Sequence, residues 1–288
     1  MTRAPRHGEW LPGADGLKLA ATVVGDSPRI AMLLHGGGQT RRAWDRAALQ
    51  LAQSGWTAVS VDQRGHGESD RAGDGRYSFG AFGEDALVLS DALAARYGRR
   101  PAAIGASLGG VASLLALGAR PAAFRALILV DITPHMDRSG VDHILGFMAA
   151  NAEAGFATIE EAADAVAAYL PHRPRPPSAE GLKRNLRRDP DGRWRWHWDP
   201  SFVQAVRQDE GVFLARAKSA CAALEVPTLL VRGRQSELVS EEAVAEFRAL
   251  CPAAEHVDIA GARHMVAGDR NDAFADAIVE FLNRRVPV

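Results

Sequence analysis

Gly105-Ala106-Ser107-Leu108-Gly109 is the stretch from which the rest of this chain can be read. The apolar run Ala102-Ala103-Ile104 precedes it, and Gly110-Val111-Ala112-Ser113-Leu114-Leu115-Ala116-Leu117 follows as a buried helix. A serine between glycines at a strand-to-helix junction reads as a nucleophile elbow. The turn forces the serine into a strained backbone conformation, and side chains at the flanking positions would strike the neighbouring strand and helix. The hydroxyl is then presented at the rim of a sheet, with the amides and positive dipole end of a helix beside it.

Outward from this point the chain alternates. Residues 17–24 and 29–34 read as strands joined by Gly25-Asp26-Ser27-Pro28. Residues 40–54 have helical periodicity, 56–61 read as a strand, and a Gly- and Asp-rich loop over 62–80 leads to a helix over 82–97. Beyond the elbow, 126–130 is a further buried strand. The rhythm breaks after Asp131. From about 134 to 220 there are helical patterns, a Pro-rich turn (Pro171, Pro174, Pro176, Pro177) and an aromatic cluster, with no buried strand. Alternation resumes with strands over 226–231 and 255–259 and helices over 240–250 and 269–283. Short continuous apolar strands between helices predict a parallel sheet covered on both faces. The expected organisation is an α/β core of residues 1–131 and 221–288, with 132–220 inserted as a helical cap.

A serine hydroxyl needs a base within hydrogen-bond reach. Nine histidines are present, and position selects His264, in the loop after the last strand. Loops at the carboxyl ends of parallel strands gather along one edge, where the elbow also opens. The base in turn needs an acid. Glu237 follows the strand over 226–231, and Asp131 directly ends the strand over 126–130. Either keeps the chain order serine, acid, histidine. We take Glu237 as the expected acid and Asp131 as the alternative. Gly36-Gly37-Gly38 follows another strand, so backbone N–H groups can turn toward a small pocket. The expected oxyanion donors are the amides of Gly37 and Leu108, and His35 is expected to be bonded within its own loop. Asp62-Gln63-Arg64-Gly65-His66-Gly67-Glu68-Ser69 is read as scaffolding, with Asp62 and Arg64 pinning it as an ion pair.

Taken together, a strand followed by His-Gly-Gly-Gly, then Asp-x-Arg-Gly-His-Gly-x-Ser, then Gly-x-Ser-x-Gly, a late carboxylate and a late histidine resemble the α/β-hydrolase superfamily. The match covers roughly residues 15–131 and 222–286. The resemblance implies a mostly parallel eight-stranded sheet flanked by helices, with a helical cap after the sixth strand. Relatives include esterases, lactonases, carbon–carbon bond hydrolases and perhydrolases. The residue before such a histidine is often glycine, and here it is Arg263.

In this superfamily the cap roofs the pocket, which makes His143, Phe147, Trp196 and Trp198 the expected pocket residues, with Met148 beside them. Arg184, Arg187 and Arg188 read as a solvated helix face. The chain has 288 residues, 47% hydrophobic and 24% charged, with a net charge of −1, so nothing points to nucleic acid or a membrane surface. Cys221 and Cys251 have no metal-ligand or redox spacing. Without a signal-peptide pattern or an apolar run of spanning length, a cytoplasmic location is expected. The expected activity is serine-dependent cleavage of a small or medium apolar carboxylic ester or lactone, with no metal or organic cofactor. The expected partners are a small-molecule substrate and, at most, a second copy of the chain. Carbon–carbon bond hydrolysis or perhydrolysis by the same residues is the alternative, and a ligand-sensing protein with a hydrolase-like pocket is a rival from another class.

Overall fold

The computed structural model describes residues 4–287 apart from Pro174, Pro176 and Pro177. Those three prolines of the expected turn therefore lie outside the described residues, as do residues 1–3 and 288.

The chain runs β1 (Arg6–Pro12), β2 (Lys18–Val24), β3 (Ile30–Leu34), α1 (Asp45–Gln53), β4 (Thr57–Val61), α2 (Phe79–Tyr97), β5 (Ala102–Ala106), α3 (Leu108–Ala119) and β6 (Leu127–Val130). It continues through α4 (Arg138–Ala149), α5 (Ile159–Tyr169), β7 (Leu186–Arg188), β8 (Trp194–Trp196) and α6 (Ser201–Ala222). It ends with β9 (Thr228–Gly233), α7 (Glu241–Leu250), β10 (Glu255–Ile259), α8 (Val266–Asp269) and α9 (Asn271–Arg285). Eight strands form one sheet in the order β1-β2-β4-β3-β5-β6-β9-β10. The β1–β2 and β2–β4 pairings are antiparallel, and every other pairing is parallel.

The central strands are continuous apolar runs because both of their faces are covered. Every residue of β3, β4 and β6 is buried. Met32, Leu34 and Leu129 pack on one side with α2 and α3, while Leu33, Ile128 and Val130 pack on the other with α1 and α9. Strand β1 is invisible to pattern reading. It is an edge strand, exposed at five of its seven residues, with no alternation to detect.

Helices α4 and α5 and the hairpin β7–β8 lie between β6 and α6. Besides the helices expected of this insertion, it holds a two-stranded hairpin. Leu186 pairs with Trp196 and Arg188 with Trp194 in an antiparallel ladder, so Arg187 and Arg188 sit on a strand and not on a helix face. Helix α6 is shared between layers. Its first turns carry Phe202 and Val206 toward the cap side, and its last turns pack on α3, where a methyl group at Gly118 would overlap Ala220. A cap limit at 220 runs through this continuous helix. Among the described residues no helix is long and apolar enough to cross a membrane.

Candidate active site

Ser107 sits between β5 and α3 with φ 45° and ψ −113°, a region that residues with side chains seldom occupy. The surroundings explain why such strain is held. A methyl group at Gly105 would overlap the carbonyl of Gly109, and one at Gly109 would overlap the Leu34 backbone. The Ser107 amide donates to Val130 O (3.2 Å), and the Gly109 amide donates to His35 O (3.2 Å), which ties the elbow to both neighbouring strand ends.

His264 lies in the loop after β10. Its Nδ1 is 2.8 Å from Asp131 Oδ2. Asp131 closes β6 in a left-handed conformation (φ 51°), its amide donating to Val231 O at 2.7 Å. Its carboxylate is fully buried and accepts two further bonds, from the Gly233 amide (2.9 Å) and from Ser236 Oγ (2.5 Å). With His264 Nδ1 directed at this carboxylate, Nδ1 is the nitrogen placed to donate and Nε2 is left with the lone pair. Ser107 and His264 line one cavity.

The expectation that Glu237 orients the ring is corrected by this geometry. Ser236 turns back on itself, accepting from the Leu238 and Val239 amides (3.0 and 3.1 Å) while donating to Asp131. That turn presents Ser236, not Glu237, to the acid. Glu237 Oε2 instead lies 3.4 Å from the backbone amide of His264. The loop is anchored from its other side as well, because the Arg263 amide donates to Asp269 Oδ2 at 2.9 Å.

The glycine loop after β3 is wired residue by residue. The Gly36 amide donates to Gln39 Oε1 (3.1 Å) and the Gly38 amide to His66 Nε2 (3.2 Å). The Gly37 amide between them has no acceptor among the described residues. Neither has the Leu108 amide, one of the first N–H groups of α3, which lack partners within the helix. Gly37 and Leu108 both line the cavity with Ser107.

His35 and His66 are structural. Nδ1 of His35 donates to Gly36 O while Nε2 accepts from the Gln63 amide, and Nδ1 of His66 donates to Arg64 O. Complete burial holds both rings neutral. It pushes the His35 pKa down, and with the neighbouring His35 it brings His66 to about 3. The expected ion pair between Asp62 and Arg64 does not form. Asp62 pairs with Arg41, while Arg64 makes a two-pronged bond to Asp85 (Nε–Oδ2 2.6 Å, Nη2–Oδ1 2.8 Å). The same loop also holds the cap. The Gly67 amide donates to His197 O and the Asp199 amide to Gly65 O, both at 2.8 Å.

The cavity measures about 440 Å³ and is mostly apolar. Phe147 and Met148 of α4 line it, with Trp196 and Trp198, which stack at 4.9 Å and 8°. His143 does not. It lies on the exposed outer side of α4, stacked on Tyr169 at 5.0 Å. Sequence reading missed Phe202, Val206, Tyr169, Arg42 and Arg173, all of which line the cavity. The i, i+4 pair Phe202 and Val206 at the start of α6 was a legible signal. Tyr169 sits at the end of α5, where burial and the charge of Glu237 push its phenol up to about 12.

Residues 32–270 match the family model described as alpha/beta hydrolase fold. The chain is 29% identical over 272 residues to Esterase Rv0045c of Mycobacterium tuberculosis, covering 91% of this chain and 85% of that protein. It is 27% identical over 262 residues to a 3-hydroxybutyrate-oligomer hydrolase of Cupriavidus necator, covering 86% and 87% of the two chains. The crystal structure of an E-2-(acetamidomethylene)succinate hydrolase superposes with a TM-score of 0.84 at 23% identity, covering 97% of this chain and all of that one, a likeness of fold.

Proposed function

The chain belongs to the alpha/beta hydrolase fold family, and on that premise we propose that it is a serine hydrolase cleaving a small or medium apolar carboxylic ester or lactone through an acyl-enzyme. The observation that carries the reading is the bond from His264 Nδ1 to the buried Asp131 carboxylate, on the wall of the cavity that also holds Ser107.

In this reading Ser107 Oγ attacks the carbonyl carbon as its proton passes to His264 Nε2. The C=O electron pair moves onto oxygen, where the N–H groups of Gly37 and Leu108 receive it. Collapse expels the alcohol, which takes the proton back from His264. Water then repeats the sequence on the acyl-enzyme, releasing the acid and restoring Ser107. Asp131 holds the tautomer and stabilises the imidazolium. The apolar cavity wall favours an apolar acyl or alcohol group. The names of the relatives, an esterase and a 3-hydroxybutyrate-oligomer hydrolase, support the ester reading.

Rapid mixing with short p-nitrophenyl esters tests it. A burst of nitrophenolate stoichiometric with enzyme, then steady turnover, is expected. Ser107→Ala is expected to lose both, with kcat down by about 10³-fold or more. Full activity in Ser107→Ala, with the variant shown folded, ends the proposal. Cleavage of a vinylogous diketone in place of esters would move the chemistry to a carbon–carbon bond.

A further inference from the structure

Among the described residues, the charged side chains lining the cavity of Ser107 and His264, the histidine aside, are two arginines, Arg42 and Arg173, and no carboxylate lines it. They reach it from different layers. Arg42 belongs to the short 3-10 turn Arg41–Trp44 after β3, and Arg173 follows α5 in the cap. Both flank α8. The 3-10 turn packs on α8, and the Arg173 guanidinium lies over Gly268, where the lack of a side chain leaves it room.

Neighbouring carboxylates compensate only part of this charge. Asp269 accepts from Arg173 Nε (2.8 Å) and Nη2, and its other oxygen takes the Arg263 amide. That pairing uses one edge of the guanidinium and leaves Nη1 without an acceptor among the described residues. Arg42 is exposed and has no carboxylate partner among the described residues. Asp131 is committed to His264, Ser236 and Gly233, and Glu237 to the His264 backbone. A mostly apolar chamber thus carries, toward α8, one arginine without a carboxylate partner among the described residues and one directed donor. A wholly apolar ester makes no use of them. A carboxylate would form charge-assisted bonds to both.

We propose that the substrate is an ester whose far end carries a free carboxylate, such as a monoester of a dicarboxylic acid, seated between Arg42 and Arg173. The assignment rests on the serine-esterase reading above and departs from it in one respect, that one end of an otherwise apolar ester is charged.

The experiment compares p-nitrophenyl hexanoate with the mono-p-nitrophenyl esters of succinic, glutaric and adipic acids. Wild type, Arg42→Gln, Arg173→Gln and the double variant are assayed at low salt and at about 0.5 M NaCl. In wild type at least one carboxylate ester is expected to exceed the neutral ester about tenfold or more in kcat/KM, and the ratio is expected to shrink in salt. In the double variant the ratio is expected to fall by about tenfold. Because each protein serves as its own control, a partial loss of activity common to all four esters leaves the ratio interpretable, and the two single variants carry the comparison where the double variant does not fold. A wild-type ratio near or below one for every chain length overturns the proposal and leaves the esterase reading standing, as does a ratio the substitutions do not change. Absence of turnover on all four esters removes both.

Discussion

The strand-end loops of the sheet and the cap that roofs them are built on opposite principles. At the strand ends most buried polar groups are bonded, the Thr40 hydroxyl being an exception. Asp131 takes three donors, His35 and His66 are each tied through both ring nitrogens, and Arg64 grips Asp85 with two bonds. Leaving such a group unpaired costs about 1–3 kcal/mol, so the partners are specified tightly. Arg173 and Asn185 aside, the cap side of the cavity is made mostly of rings and aliphatic chains, with Phe147 stacked on Tyr169 at 4.1 Å and Trp196 on Trp198. Dispersion and burial are not directional, and many side chains of similar volume would serve. On the proposed reading the chemistry lives where bonds are directional, and the apolar part of the substrate is met where they are not.

The sharpest way to break this comparison is at the acid. Asp131→Asn is expected to lower kcat by about 10²- to 10⁴-fold by disturbing the His264 tautomer. Glu237→Gln is expected to stay within about tenfold, since it touches only the His264 backbone. Steady-state kinetics on the two variants decides it, and the reverse ranking would return the role to the later strand. Next in size is the buried pair behind the loop. Arg64→Ala strands the Asp85 carboxylate and is expected to cost about 3–5 kcal/mol in urea unfolding, where a rim ion pair such as Arg6–Asp45 costs under about 1.

The pH dependence of stability sharpens the same contrast. His66 and His35 titrate lower folded than unfolded, so below pH 6.5 the unfolded chain binds the extra protons. Stability conferred by neutral His66 is complete above that pH and is lost as pH falls from 6.5 toward about 3. The slope approaches about 1.4 kcal/mol per pH unit for such a group. Urea midpoints across that window check it, with a flat profile as the contrary outcome. The smallest effect is expected in the cap. Phe147→Ala is expected to raise KM severalfold for bulky esters while kcat stays within about threefold, and a large loss in kcat would show that the cap shares in the chemistry.

The core elements were legible because their rules are local. Gly105 and Gly109 stand where a side chain would strike backbone, and runs such as Leu127–Val130 are apolar throughout because both faces are covered. The edge strand β1, open to solvent, carries no such pattern. In the cap, the spacing of Trp194, Trp196 and Trp198 fits either a strand or a helix when read alone. The hairpin with Leu186–Arg188 is what makes it a strand.

The amino-acid sequence alone determined the elbow, the alternation of strand and helix, and the loops from which serine, histidine and acid must come, because each follows from steric and hydrogen-bonding demands within a few residues. Tertiary structure decided which carboxylate meets His264, which rings roof the cavity and that Arg42 and Arg173 line the same cavity. Those are contacts between residues tens to more than a hundred positions apart, fixed by how strand ends and cap are brought together. The choice of Asp131 over Glu237 came down to Ser236, a small side chain whose turn aims its own hydroxyl at the acid and sends its neighbour behind the histidine.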